Sequence, residues 1–132
     1  EKELNEEKLT RVLRIDAEIP LAAVTEELWQ KLRAFEPFGF GNPEPVFATK
    51  NVRVLEARLV GADGKHLKLR LVSPNLPNQS NLPNAFEAIA FNFGKLYDRL
   101  QPGATVDIAY TISLNSWNGY QRLQLKIKDI LV

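Results

Sequence analysis

The sequence predicts a mainly β domain in which a small barrel of five strands follows a short strand–helix extension. Three observations predict this class. Apolar and polar residues alternate in five segments after residue 45, turn residues separate the segments, and one helical pattern lies between the third and fourth. With 132 residues, of which 45% are hydrophobic and 25% charged, the chain has the composition of a globular domain.

The extension is assigned to residues 1–45 and the barrel to residues 46–132. Residues 1–9 are highly charged and are predicted to form a helical connector. In residues 11–19 polar and apolar residues alternate, which predicts a half-buried strand. The chain contains no methionine, even at position 1, which suggests a piece of a longer polypeptide.

A helix is expected after this strand. Thr25 can cap its first turn, and Leu28, Leu32 and Phe35 recur at the spacing of one helical face. Pro37 is expected to stop it, because proline lacks the backbone N–H that the helix needs.

The stretch EPFGFGNPEPVF, residues 36–47, joins the helix to the barrel. It lacks the lysine and the following helix of a phosphate-binding glycine loop, and its three prolines are too restrictive for a flexible linker. We therefore predict a rigid strap whose phenylalanines are buried, whose Gly39 and Gly41 adopt unusual backbone angles, and which docks the helix against the barrel.

The barrel segments appear in the order strand, strand, strand, helix, strand, strand. This is the element order of an OB-fold, a five-stranded Greek-key barrel. An immunoglobulin-like sandwich would need about seven strands and no helix at this place. The predicted strands are 46–60, 65–72, 86–92, 105–115 and 120–131, with a loop at 73–85 and a short helix at 93–100.

Composition excludes several kinds of active site. One histidine and no cysteine rule out His-rich and thiolate metal sites, although a carboxylate-only magnesium site remains possible on paper. Lys65 and Lys68 flank His66 and would disfavour the imidazolium that a catalytic triad requires. We therefore expect no catalysis and no cofactor in this chain alone.

The sequence also shows no signal peptide and no membrane-spanning run, so the cytoplasm is the expected location.

Binding is the function that the strand patterns favour. In residues 65–72 and 120–131, basic side chains alternate with leucine and isoleucine, so each strand is expected to turn its cations outward. OB-folds bind oligonucleotides across their second and third strands and nearby loops, where an exposed aromatic residue suits base stacking. The candidate nucleic-acid-binding residues are Lys65, His66, Lys68, Arg70, Trp117, Arg122 and Lys126.

The inward side of the barrel is also predicted. Leu67, Leu69 and Leu71 are expected to face the core. In the third strand, Ala88, Ala90 and Asn92 lie opposite Ile89 and Phe91 and are expected to form a low outer surface that nucleic acid could approach closely.

Other interpretations remain open at this stage. Lysine alternating with leucine is also typical of any half-solvated strand. Trp117 could cap an open end of the barrel as well as stack on a base. The acidic residues Glu56, Asp107 and Asp129 interrupt the basic pattern, so a continuous cationic groove does not follow from the sequence.

Two motifs make a family resemblance specific. Residues 37–47, PFGFGNPEPVF, and residues 61–66, GADGKH, resemble the C-terminal OB domain of the RecJ family, bacterial exonucleases specific for single-stranded DNA. The Gly-x-x-Lys-His pattern falls on Gly61, Lys65 and His66 with one additional residue between them, and the likeness covers about residues 11–131. The family pattern favours a polar residue where this chain has Phe40.

The resemblance implies a function for a larger protein. RecJ-like enzymes degrade single-stranded DNA from the 5′ end with magnesium or manganese held by their DHH and DHHA1 domains, and no Asp-His-His occurs here. The implied partners are single-stranded DNA and the DHH and DHHA1 domains of the same polypeptide, with single-strand-binding protein as a further candidate and no membrane. The alternative is a structural or protein-docking OB module without DNA contact. OB modules of replicative polymerases and tRNA synthetases share the fold, but the Gly-Asn-Pro-Glu-Pro strap argues against both.

Overall fold

The computed structural model describes residues 15–39, 41–73 and 85–132, apart from the side chain of Trp117. The predicted connector 1–9, the start of the predicted strand 11–19, Phe40 and most of the predicted loop 73–85 lie outside the described residues.

A closed five-stranded barrel forms the centre of the molecule and confirms the predicted OB-fold. Its strands follow one another around the barrel in the order β2-β3-β4-β6-β5, and β5 pairs back with β2 to close it. The β4–β6 pair is parallel and the other barrel pairs are antiparallel. The strands are β2 (Phe47–Val60), β3 (His66–Val72), β4 (Phe86–Ala90), β5 (Thr105–Trp117) and β6 (Tyr120–Leu131); a two-residue strand, β1 (Ala17–Glu18), precedes them.

The length of β2 allows the barrel to close. Its first half pairs with β5 and its second half with β3, with Arg53 in register with both neighbours. Two irregularities in register, one after Thr49 and one after Val54, bend the strand between these partners. At the first of them Asn51 has a φ of 60°, and its backbone N–H donates to Asp107 Oδ1 at 2.9 Å. Asp107 therefore has a structural contact at the bend.

The core confirms the inward face predicted for β3 and corrects the one predicted for β4. Leu67, Leu69 and Leu71 are at most 2% exposed. Ala88 pairs with Leu69 and Ala90 with Leu67, and paired residues on antiparallel strands point to the same side of the sheet. Both alanines are consequently fully buried. The low outer surface predicted at these positions is wrong.

The helix predicted at 93–100 is a 3-10 helix, Gly94–Arg99, followed by the fully buried Leu100. It begins against the β2–β3 loop, where the Gly94 N–H donates to the Lys65 carbonyl at 2.8 Å. A Cβ at Gly94 would overlap the carbonyl oxygen of Gly64. Only glycine allows the two backbones to approach this closely.

The extension packs on the barrel. β1 pairs in parallel with the start of β2, and after Pro20 a 3-10 turn, Leu21–Ala23, brings Leu21 and Val24 into the barrel's hydrophobic core, where they are 3% and 4% exposed. Among the described residues the predicted strand 11–19 is thus reduced to two paired residues. The assignment of 1–45 and 46–132 as separate units stays a prediction.

The predicted helix is α1 (Glu26–Arg33). Thr25 Oγ1 accepts a hydrogen bond from the Leu28 N–H at 3.1 Å, which confirms the predicted cap. Phe35, however, lies beyond the last helical residue and is 62% exposed, so the prediction that it shares one helical face with Leu28 and Leu32 is wrong. The chain turns away here, and the Asn42 side-chain amide holds that turn by donating to the carbonyls of Phe35 and Pro37.

The strap, residues 36–47, lies between α1 and the barrel. Phe47 is buried, Phe38 is half-buried, and a small gap of about 30 Å³ is lined by strap, helix and barrel residues that include Phe38, Trp29 and Ile112. This arrangement agrees with the predicted docking. Neither Gly39 nor Gly41 has φ in the left-handed region, so the unusual angles predicted there are not observed. Reciprocal backbone hydrogen bonds between Gly39 and Asn42 close the strap's turn instead.

A buried hydrogen-bond chain joins extension and barrel. Thr49 Oγ1 donates to the Ile19 carbonyl at 2.6 Å, and the Tyr110 hydroxyl lies 2.7 Å from the same Oγ1. Because Thr49 has one hydroxyl proton, Tyr110 is the donor in the second bond. Burial raises the pKa of Tyr110 to about 12. In the described part of the chain, no helix has the length and apolar character required to cross a bilayer.

Candidate nucleic-acid interface

The outward side of β2, β3, β4 and β6, here called the outer face, carries two rows of side chains that run across the strands. In the first, the basic row, neighbouring strands place Arg58, Lys68, Ile89 and Lys126 in register. In the second, the mixed row, they place Glu56, Arg70, Glu87 and Gln124 in register.

The basic row has uncompensated charge. Arg58, Lys68 and Lys126 form no ion pair with any other residue that the structure describes. The row crosses three gaps between strands, a span of roughly 14 Å at the usual strand spacing of about 4.8 Å. At about 3.4 Å per stacked nucleotide, this span matches roughly four nucleotides of a single strand.

The mixed row is partly neutralised by Glu87. Its Oε2 lies 3.6 Å from Arg70 Nη1 and 3.7 Å from Arg122 Nη1. Arg70 is also less accessible than Arg122, with 23% against 73% of the side chain exposed, and its Nε is buried without a hydrogen-bond partner. Arg122 is therefore more accessible to a ligand than Arg70, although both arginines pair with the Glu87 carboxylate.

Two depressions lie along the outer face and meet at Lys68 and Glu87, which line both. The smaller, about 150 Å³, extends towards Arg58 on β2. The larger, about 450 Å³, extends towards the β5–β6 hairpin, where Tyr120 lies 73% exposed. Lys68 is thus at the centre of a groove that crosses the barrel from β2 to β6.

The β2–β3 loop ends the outer face on one side, and His66 holds it there. His66 Nδ1 accepts a hydrogen bond from the Asn92 N–H at 2.9 Å, and its ring meets Phe91 edge-on at a centroid distance of 5.2 Å. A Cβ at Gly61 would lie 2.9 Å from the His66 ring, and Gly61 has a φ of 95°, so glycine is required there. Lys65 is exposed and lies 3.8 Å from Asp63. His66, one of the predicted site residues, thus has structural contacts of its own.

The structure brings most of the predicted site residues together. Lys68, Arg70, Arg122 and Lys126 share the outer face, whereas Lys65 and His66 lie at its loop end. Trp117 is paired with Tyr120 at the hairpin, and its side chain lies outside the described atoms. The predicted set omits Arg58, Glu87 and Tyr120.

Tyr120 and Arg58 differ in how the sequence could have revealed them. Tyr120 directly follows the Asn-Gly turn of the hairpin, so it was recognisable as an aromatic residue at the rim. Arg58 gave no such signal, since the irregularity after Val54 changes which residues of β2 point outward.

A metal centre is not apparent on this face. Within residues 15–39, 41–73 and 85–132, no three histidine, aspartate or glutamate side chains are grouped so that they could hold an ion. The polar groups of the outer face are the cations, the carboxylates of Glu56 and Glu87, amides and an aromatic hydroxyl.

Comparisons with known proteins point to one family. The model of the RecJ OB domain matches residues 15–129. The single-stranded-DNA-specific exonuclease RecJ of Bacillus subtilis is 29% identical over 98% of the chain, and that of Salmonella typhimurium is 33% identical over 87%. The chain covers 15% and 18% of these two proteins, so it spans about one-sixth of their length.

Solved structures agree with this family. The crystal structure of RecJ from Thermus thermophilus in complex with Mn²⁺ superposes on 88% of the chain with a TM-score of 0.63 and 27% identity. The structure of the same organism's RecJ in complex with Mg²⁺ gives a TM-score of 0.65 with 26% identity over 89% of the chain. The chain covers 15% and 16% of these two structures.

Proposed function

The chain belongs to the RecJ OB-domain family, and on this premise we propose that its outer face binds single-stranded DNA for a RecJ-type exonuclease. In this proposal the hydrolysis takes place elsewhere, in DHH and DHHA1 domains that use magnesium or manganese. This chain supplies grip on the substrate and no catalytic group. A cytoplasmic location belongs to the same proposal.

The observation that carries the proposal is the basic row. Arg58, Lys68 and Lys126 lie in one register row across four neighbouring strands, on β2, β3 and β6, without ion-pair partners in the described part of the chain. Cations that are left unpaired on a surface are free to displace counterions from phosphates, and this release supplies most of the affinity for a nucleic-acid backbone.

Recognition of a single strand, as opposed to a duplex, has its own support. A groove that crosses the barrel, with a basic row and an exposed aromatic ring at one end, combines the two elements that single-strand binders use, backbone pairing and base stacking. Lys65 and His66 extend the proposed contact towards the β2–β3 loop. Arg70 adds a contact in the mixed row on β3, and Arg122 and Trp117 extend the contact to the β5–β6 hairpin.

A second candidate is a docking module that contacts other domains of its polypeptide or a partner such as single-strand-binding protein. In that case a partner would cover exposed apolar side chains such as the Phe35 ring, which is 62% exposed. In this case the basic row would serve only to keep the barrel solvated.

Titration with a fluorescent oligo-dT separates the two candidates. We expect binding that weakens as salt rises from about 50 to about 200 mM, since counterion release makes affinity salt-dependent. A duplex of the same length should bind less tightly, because its bases are not available for stacking. A folded chain without detectable affinity for the strand at the lowest salt would refute DNA binding and favour docking.

A further inference from the structure

Tyr120 is the most exposed large hydrophobic residue among those that the structure describes. Its ring lies at the rim of the larger depression, together with Asn115 and Arg122 from the same hairpin. We propose that this depression is a base-binding subsite, in which one unpaired nucleobase stacks on Tyr120 while the Asn115 amide contacts the edge of the base. The inference rests on the proposed function and specifies where a base, as opposed to a phosphate, is held.

The hairpin fixes these side chains on one side. Asn115 is paired with Arg122 and Trp117 with Tyr120, and Tyr120 and Arg122 are two residues apart on β6. Residues paired on antiparallel strands, and residues two apart on one strand, share a face. Asn115, Tyr120 and Arg122 therefore point the same way.

The turn that precedes Tyr120 has the dihedral angles of a tight two-residue hairpin turn. Asn118 and Gly119 have φ values of 51° and 81°. A two-residue hairpin turn with positive φ at both positions matches the natural twist of the two strands and holds them in register. The Tyr120 ring is thus presented from a well-defined backbone, which lowers the entropic cost of stacking a base on it.

The chemistry of the depression suits a base better than a phosphate. Its volume of about 450 Å³ is within the usual range of ligand sites, about 300 to 1,000 Å³. Of its two cations, Arg122 is already paired with the Glu87 carboxylate at 3.7 Å, and Lys68 belongs to the basic row. The Asn115 amide has both a donor and an acceptor, as the edges of bases require, and an aromatic ring stacks on any base.

The basic row provides the matching phosphate contacts. Lys68 belongs to both the row and the depression, so a strand whose phosphates follow the row can turn one base into the depression. The phosphate contact and the base-stacking contact are then adjacent, and a substitution at Lys68 or at Tyr120 removes one without the other.

An abasic strand tests the subsite separately from DNA binding. Two labelled strands of about twelve nucleotides, a length within the site sizes of OB-folds, are compared: oligo-dT and the same backbone with abasic spacers. We expect the chain to bind oligo-dT at least about fivefold more tightly, since stacking of one base contributes about that factor or more. Tyr120→Ala should remove the difference, whereas Tyr120→Phe, which keeps the ring, should preserve it.

A spectroscopic measurement reports stacking directly. A strand with 2-aminopurine should lose fluorescence on binding to the unmodified chain and to Tyr120→Phe, but not to Tyr120→Ala. Phe35→Ala is the matched control, because Phe35 is an exposed ring that lies outside the outer face. It should leave both the preference and the quenching unchanged.

The outcomes separate the two levels of the inference. Equal affinity of the unmodified chain for both strands, or a preference that survives in Tyr120→Ala, would overturn the subsite and leave the proposed function standing. Loss of the preference in Phe91→Ala but not in Tyr120→Ala would place the stacking site at the other end of the outer face and would also overturn it. A chain that binds neither strand would overturn the proposed function itself.

Discussion

Lys68→Gln is the substitution that tests the basic row most directly. Lys68 is half-buried at the centre of the groove and forms no ion pair with a residue that the structure describes. Glutamine removes the charge but keeps a polar side chain with part of the aliphatic stem. Because no partner is left unpaired, the free energy of unfolding should change by less than about 0.5 kcal/mol.

The effect on DNA binding can be worked out from the number of unpaired cations. If Arg58, Lys68 and Lys126 each neutralise one phosphate, the slope of log affinity against log salt is about −2.1, at about −0.7 per phosphate for a single strand. Removing Lys68 should reduce the slope to about −1.4. A rise from about 50 to about 200 mM salt should then weaken binding about 18-fold for the unmodified chain and about 7-fold for the variant.

Fluorescence anisotropy with labelled oligo-dT at four or more salt concentrations gives both slopes. Lys31→Gln is the matched control, because Lys31 is an exposed lysine on α1, outside the outer face. The control should keep the original slope, and thermal unfolding should show that both variants are folded. A Lys68→Gln slope equal to that of the control would refute the assignment of a phosphate to this row.

Three further predictions concern stability. The pKa of Tyr110 is raised to about 12 from its ordinary value of about 10, so protonated Tyr110 favours the folded state: the free energy of unfolding should be constant in this respect below about pH 10 and should fall by about 3 kcal/mol as pH rises to about 12. Urea unfolding at stepped pH measures this decline, and Tyr110→Phe should remove the part that is due to Tyr110. An identical decline in both proteins would contradict the prediction. Gly94→Ala should cost about 2 kcal/mol and lower the melting temperature by several degrees, because the added Cβ would overlap backbone atoms that cannot move aside. Gly39→Ala is the control and should be nearly neutral, because no atom lies near the added Cβ. Leu21→Ala should cost about 3 kcal/mol in denaturant unfolding and the half-exposed Leu59→Ala less than about 1 kcal/mol; equal costs would mean that the extension does not contribute to the barrel core.

The alternation of the sequence predicted the order and approximate bounds of the barrel strands. It also predicted the inward face of β3, because three leucines two residues apart can be buried together only on one side. The cap at Thr25 was predictable for a similar reason, since it depends on residues close in sequence. Features decided within one segment were therefore accessible to sequence reasoning.

Features decided between segments were not accessible. A period of two separates the faces of β4 but does not say which one is inward, and pairing with Leu69 and Leu67 settled this for Ala88 and Ala90. Arg58 reaches the outer face because β2 has an irregularity that inverts the alternation partway along the strand. The contact of Glu87 with two arginines likewise depends on strand register, which local patterns do not specify.

The hydrogen-bond chain from Tyr110 through Thr49 to Ile19 has a consequence for how the molecule melts. It connects the buried side chain of Tyr110 in the barrel to the segment that precedes α1, and Leu21 and Val24 of that segment pack in the same hydrophobic core. Neither part can lose its packing without uncovering the other. Heating should therefore produce one cooperative calorimetric peak for extension and barrel together, and a fragment that starts at the barrel should melt at a lower temperature than the whole chain.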